Sequence, residues 1–163
     1  MRPPTNPTAI KLQETLKQLS LSGRVVEFEQ TTRTAADAAA AIGCDVGAIV
    51  KSIIFKTKHS GQAVLVLTSG SNRVSELIVE SLVGEALGKA DADFVRSATG
   101  FAIGGVPPFG YARLKHTYID EALTGYETIW AAAGTPNAVF PLTPAELQRL
   151  TEAKAIKVNE ERT

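Results

Sequence analysis

Lysine is an uncommon residue in the middle of an apolar strand, and Lys51 stands inside Ile49-Val50-Lys51-Ser52-Ile53-Ile54-Phe55. Such a side chain either projects to solvent or is held in a pocket, where loss of water lowers its pKa and suits it to bind an anion or a carbonyl oxygen. Strand lysines are mostly solvated, so the residue by itself leaves both readings open. A second concentration of useful residues is Gly104-Gly105-Val106-Pro107-Pro108-Phe109-Gly110. Glycines permit conformations and close approaches that a Cβ forbids, while Pro107 and Pro108 stiffen the turn. Main-chain groups presented at Gly104 and Gly105 could cradle a carbonyl or an amine at a reacting centre. A plain connector has the same composition, so function and simple connection stand level here.

What is missing narrows the chemistry. The sequence has no Ser-His-Asp set, no zinc-type spacing and no Gly-Lys-Ser/Thr phosphate loop. His59 lies in a turn and His116 opens a strand, and both read as surface residues. Cys44 follows Gly43 near a helix end with no identifiable partner, which favours a packing role over a nucleophile. The sequence therefore predicts neither metal nor cofactor.

The elements that must position these residues can be read from periodicity and punctuation. Met1–Pro7 reads as a frayed lead-in, and Ile10, Leu12, Leu16 and Leu19 recur at helical spacing until Ser22-Gly23. Arg24–Glu29 alternates like a strand. Thr34 then caps a helix over Ala35–Ile42 that Gly43 stops. Ile49–Phe55 and Ala63–Thr68, joined by His59–Gln62, predict a hairpin at the centre of a sheet. Val74–Gly84 follows as a helix with Leu77, Ile78 and Leu82 on one side, then a short helix over Ala90–Ser97. Lys115–Ile119, Glu127–Ala132 and Ala138–Pro141 are strand candidates, and Thr143-Pro144 starts a helix over Pro144–Ala153. Lys154–Thr163 is charged and reads as a loose tail. The order predicts one α+β domain over residues 1–163, a mixed sheet with helices packed outside it.

Bulk properties bound the partners. The 163 residues are 44% hydrophobic and 21% charged, and 17 basic residues balance 17 acidic ones. A wrapper of duplex nucleic acid normally carries a basic excess, so any nucleic-acid contact must be local. No apolar run reaches the ~18–20 residues of a membrane helix, and Met1-Arg2-Pro3-Pro4 lacks the apolar core of a signal peptide. The expectation is a cytoplasmic protein without membrane contact.

Taken together, these residues resemble the YbaK/EbsC family, the prolyl-tRNA synthetase-associated editing domains, from about Arg24 to Leu150. The family's active-site lysine matches Lys51, and its Gly-x-x-x-Pro loop matches Gly104–Pro108, followed by Phe109-Gly110. Thr99-Gly100, Tyr126–Gly134 and Leu142-Thr143-Pro144 also fit. The departures are Phe28 and Gln30, where the family often has Tyr and His, and the loop Gly134-Thr135-Pro136-Asn137. The resemblance implies a mixed, partly barrel-like sheet with surrounding helices and a cleft between the lysine strand and the glycine loop. It implies a free-standing hydrolase acting on the ester of mischarged tRNA, in particular tRNA(Pro) carrying alanine, cysteine or a similar small amino acid. The alternative it leaves open is a non-catalytic or regulatory protein of the same fold that binds a nucleotide or a tRNA end. Its implied machinery is Lys51, Gly104 and Gly105, with Phe28, Ser52, Ile53, Val66, Val106, Pro108 and Asn137 around the substrate. Lys56 and Arg73 would contact the tRNA acceptor end, and prolyl-tRNA synthetase is a possible partner.

Overall fold

A computed structural model describes residues 1–30, 32 and 34–159 of the chain. In chain order it begins with α1 (Pro7–Gln18), β1 (Val26–Glu27), α2 (Ala35–Ile42), β2 (Ile49–Thr57) and β3 (Ala63–Ser69). It continues with α3 (Glu76–Val83), β4 (Leu87–Lys89), α4 (Ala92–Thr99) and β5 (His116–Asp120). The last elements are β6 (Ile129–Ala132), β7 (Ala138–Leu142), α5 (Pro144–Thr151) and β8 (Lys154–Ile156).

The two longest apolar runs pair as the expected antiparallel hairpin, with Ile53 opposite Val66 and Lys51 opposite Thr68. That hairpin is the middle of a mixed sheet ordered β1-β7-β6-β2-β3-β5-β8. Strand β6 joins β2 in parallel, and β5 joins β3 in parallel. The far side of β2 is shared: β6 pairs only with Ile49 and Val50, and β4 only with Phe55–Thr57. Among the described residues, no strand pairs with 51–54 on that side. This leaves a short open edge in the centre of the sheet, with Lys51 at its start.

Side chains alternate across the sheet, so each face has its own cover. Leu65 and Leu67 face α1 and α5 through Leu12, Leu16 and Leu147 in the main core. Val64 and Val66 face the opposite way, toward Val79 of α3. Burying one such large aliphatic side chain contributes roughly 1.5–3 kcal/mol. Local signals fix the helix ends. Thr34 accepts from Asp37 N–H at 3.1 Å and Gly43 closes α2 at φ +86°. Thr143 and Glu146 form a reciprocal capping box at the start of α5, a device worth about 1 kcal/mol.

Four expectations need correction. The lead-in is not frayed: Glu27, 1% exposed, accepts from Thr5 N–H at 2.7 Å, Thr5 Oγ1 at 2.8 Å and Asn6 N–H at 2.8 Å. Pro7 opens α1, with Asn6 as its cap. On α3 the expected apolar stripe is outside, since Leu77 is 71% and Leu82 40% exposed, and Val79 is the buried residue. The tail is partly structured, because Lys154–Ile156 pairs in parallel with β5; residues 160–163 lie outside the described residues. The strand expected over Arg24–Glu29 shrinks to two residues against β7.

Candidate active site

Lys51 shares its face of β2 with Ile49, Ile53 and Phe55. Ala38 and Ala39 of α2 cover Ile49, and Phe55 packs against the cluster built on Val79 of α3. The lysine falls between these two covered patches, half-buried. Its Nζ donates to the Asn72 carbonyl at 2.9 Å. Burial pulls the ammonium below its ordinary pKa, the nearby Arg73 adds to the fall, and Asp120 opposes it. A lysine in that position keeps donors for a ligand without being quenched by an adjacent carboxylate.

The glycine turn arrives opposite the open edge of β2. Gly104 takes φ +92°, which favours glycine. At Gly105 the chain lies flush against the β6–β7 turn, where a Cβ would sit 2.8 Å from the Gly134 carbonyl and from Thr135 Cα. The Gly105 N–H donates to Ala102 O at 3.0 Å, within the turn itself. Tyr111 fixes the next turn by donating to Pro107 O at 2.8 Å, and burial pushes its phenol up.

Two cavities meet along this edge. One, of about 550 Å³, holds Lys51, Ser52, Ile53, Gly104 and Val106 together with small residues such as Ala35, Ala36 and Ala132. The other, of about 750 Å³, shares Ser52, Ile53, Gly104 and Val106 and adds Phe55, Val95 and Ile103, with Arg73, Lys89 and Glu76 as its charged groups. The structure thus brings together five of the expected residues, and sets Arg73 next door.

The remaining expected residues lie elsewhere. Phe28 is buried and lines a separate cavity with Gln30 and Ala41. Val66 is fully buried under α3, because the pairing that sets it beside Ile53 also sets it beneath Val79. Pro108 turns with Phe109 toward a third cavity, of about 540 Å³, bounded by Leu65 and Leu150. Asn137 is a brace: it accepts from Thr135 Oγ1 at 3.0 Å and donates to Phe28 O at 3.3 Å. Lys56 stands exposed with its ammonium 5.1 Å from the centroid of Phe94. Sequence reading missed the alanines of α2, Trp130, Pro136 and Thr32 as cavity walls. The alanine run was legible, but as helix propensity rather than as room for a ligand.

The chain belongs to the YbaK/ProRS-associated aminoacyl-tRNA editing family: that family's pattern, described as an aminoacyl-tRNA editing domain, matches residues 29–150. Trans-editing, by deacylation of aminoacyl-tRNA, is the general function of this family. A crystal structure described as that of a proposed trans-editing enzyme for prolyl tRNA synthetase is 44% identical, superposes with a TM-score of 0.88, and covers 97% of this chain and 100% of its own. The crystal structure of hypothetical protein APE2540 is 30% identical, with a TM-score of 0.82, over 92% of this chain and 99% of its own. An uncharacterized protein of Bacillus subtilis (strain 168), YwhH, is 32% identical over 130 residues, 80% of this chain and 82% of its own. Among the described residues, no helix is long and apolar enough to cross a membrane.

Proposed function

We propose that this chain hydrolyses, in trans, the ester linking a small amino acid such as alanine or cysteine to tRNA(Pro). The observation that carries the reading is the meeting of the two cavities along one wall, Ser52-Ile53 facing Gly104 and Val106, with Lys51 beside it. An aminoacyl-adenosine is itself two-lobed with the ester in the middle. The amino acid fits the alanine-lined cavity. The terminal nucleotide fits the larger apolar one, where Arg73 and Lys89 attract phosphate and Phe55 offers a surface for the base.

In this arrangement water attacks the ester carbonyl, the bond to the ribose oxygen breaks, and that oxygen leaves with a proton. The Lys51 ammonium donates to the carbonyl oxygen as it gains charge, and the Gly104 turn confines the ester at the open edge of β2. No protein nucleophile is required, because an aminoacyl ester is already activated and positioning with electrostatic stabilisation is sufficient. The cavity of about 550 Å³ is larger than any single side chain, so rejection of proline comes from the orientation of its ring at the ester and not from volume. With 17 basic residues against 17 acidic ones, tRNA binding is weak, local to the acceptor end and only shallowly dependent on salt. Prolyl-tRNA synthetase is the partner that would supply such a substrate, in the cytoplasm.

A deacylation panel tests this directly. Alanyl, cysteinyl, seryl, threonyl and prolyl esters of tRNA(Pro) are incubated with the protein, and turnover of a small noncognate ester with prolyl-tRNA(Pro) spared is the expected result. Binding without turnover of any ester would assign the fold to nucleotide-end recognition alone.

A further inference from the structure

Asp120 closes β5 and is 1% exposed. Its two carboxylate oxygens accept three hydrogen bonds, from Ser69 N–H at 3.0 Å, Asn72 Nδ2 at 2.9 Å and Ala122 N–H at 2.9 Å. All three donors are neutral, and two of them stand where β3 ends and the following loop begins. The same loop is tightened by Asn72 N–H donating to Ser69 O at 3.0 Å, and anchored by Ser69 Oγ donating to Gly47 O at 2.7 Å. One of its carbonyls, that of Asn72, is the acceptor of the Lys51 ammonium. Burying a carboxylate is costly, and hydrogen bonds together with an opposite charge nearby offset the cost. Here the bonds lead within one residue to the cation of the cleft.

We propose that Asp120 is a positioning residue for Lys51, setting the place of the ammonium in the cleft through Asn72. The inference rests on the proposed deacylation for its catalytic meaning, but not for its structural content. Three neutral donors satisfy the carboxylate as hydrogen-bond acceptor; its negative charge acts further out, on the lysine. Two charged groups act on the lysine: Arg73 from the loop after β3, and Asp120 from the end of β5. Glu76 and Lys89 stand in the adjoining cavity, and Glu121 and Lys157 flank Asp120 around a small outer cavity. Removing the Asp120 charge lowers the pH at which the lysine loses its proton; removing the Arg73 charge raises it.

The test uses the full chain labelled at the lysine Cε with ¹³C, following each signal by NMR as the pH is raised; the Lys51 signal is identified by its loss in Lys51→Met. Asp120→Asn and Asn72→Ala should both lower the Lys51 titration midpoint, and Arg73→Ala should raise it. In deacylation assays the first two variants should lose between about tenfold and 10²-fold in kcat, the range a displaced catalytic group commonly costs, with KM little changed. Asn72→Ala leaves Asp120 its Ser69 and Ala122 donors, so it decides the matter if Asp120→Asn does not fold. A folded Asn72→Ala variant with the wild-type midpoint and kcat overturns the proposal. Midpoints that move in a protein with no deacylase activity sustain the positioning and overturn the proposed function instead. Deacylation abolished by Lys51→Ala but untouched by the other two does the reverse.

Discussion

Two carboxylates are buried to the same degree in opposite halves of the sheet, Glu27 on β1 and Asp120 on β5, each 1% exposed. Both fasten a loop to a strand through main-chain N–H groups and neighbouring side chains. Around Glu27 the partners of the side chain are Arg2 at 3.5 Å, Thr5 and Asn6, and Asn6 in turn caps α1. Around Asp120 the fastened loop reaches Lys51, the lysine of the proposed deacylation. The same local chemistry therefore stabilises the N-terminal segment in one place and, on the proposed deacylation, orders a reacting group in the other. The role is read from what the loop touches next, not from the carboxylate.

The largest effect that separates the two halves belongs to Lys51→Ala. It should lower deacylation by about 10²–10³-fold, the usual cost of one electrostatic contributor, while the melting temperature stays close to that of the wild type. Near-wild-type turnover would return the lysine to a solvated role and leave the Asp120 half with no more function than the Glu27 half.

Gly105→Ala comes next. Its added methyl meets the Gly134 carbonyl at 2.8 Å, and overpacking of this kind costs about 1–3 kcal/mol. Because the strain falls on the cleft wall, urea unfolding and turnover should fall together. Loss of stability with full activity would mean that the turn does not shape the reacting end.

The smallest effect is expected at Glu27. Burial alone would raise its pKa, but the N–H groups of Asn6 and Thr5, the Thr5 hydroxyl and Arg2 together hold it below the ordinary glutamate value. A depressed carboxylate contributes stability that is complete above its unfolded pKa and is lost as pH falls through the folded one. Glu27→Gln should therefore cost on the order of 1–2 kcal/mol near neutral pH, flatten the acid limb of stability below about pH 4.5, and leave deacylation unchanged. Impaired turnover at neutral pH would erase the contrast between the two halves.

Legibility followed the range of the forces involved. Helix α2 and the start of α5 are set by neighbours in sequence, Thr34 with Gly43 and Thr143 with Glu146, and both are visible in the sequence. The central hairpin is equally local. The three-residue strands β4 and β8 exist because a partner strand is present, and short segments carry too little pattern of their own to announce that. The face of α3 was misread for a related reason. Leu77, Ile78 and Leu82 are the stronger apolar stripe, but the buried position at Val79 is dictated by Val64 and Val66 beneath it.

At the site, the lysine and the glycine turn were readable from residue type. Pro108 and Val66 were misplaced because neighbours in sequence or in register can still face different cavities. Asp120 offered only the weak signal of an acidic residue at a strand end, capping the turn over Glu121–Gly125.

The open edge of β2 has a consequence for what can pair beside the lysine. An unpaired stretch of strand ordinarily invites another strand to extend the sheet. Here the invitation spans only residues 51–54, roughly 13 Å at the rise of an extended chain, and β6 and β4 close it at either side. What the edge offers is therefore a short row of main-chain groups beside the face that carries Lys51, long enough to match an extended segment of about four residues and no more.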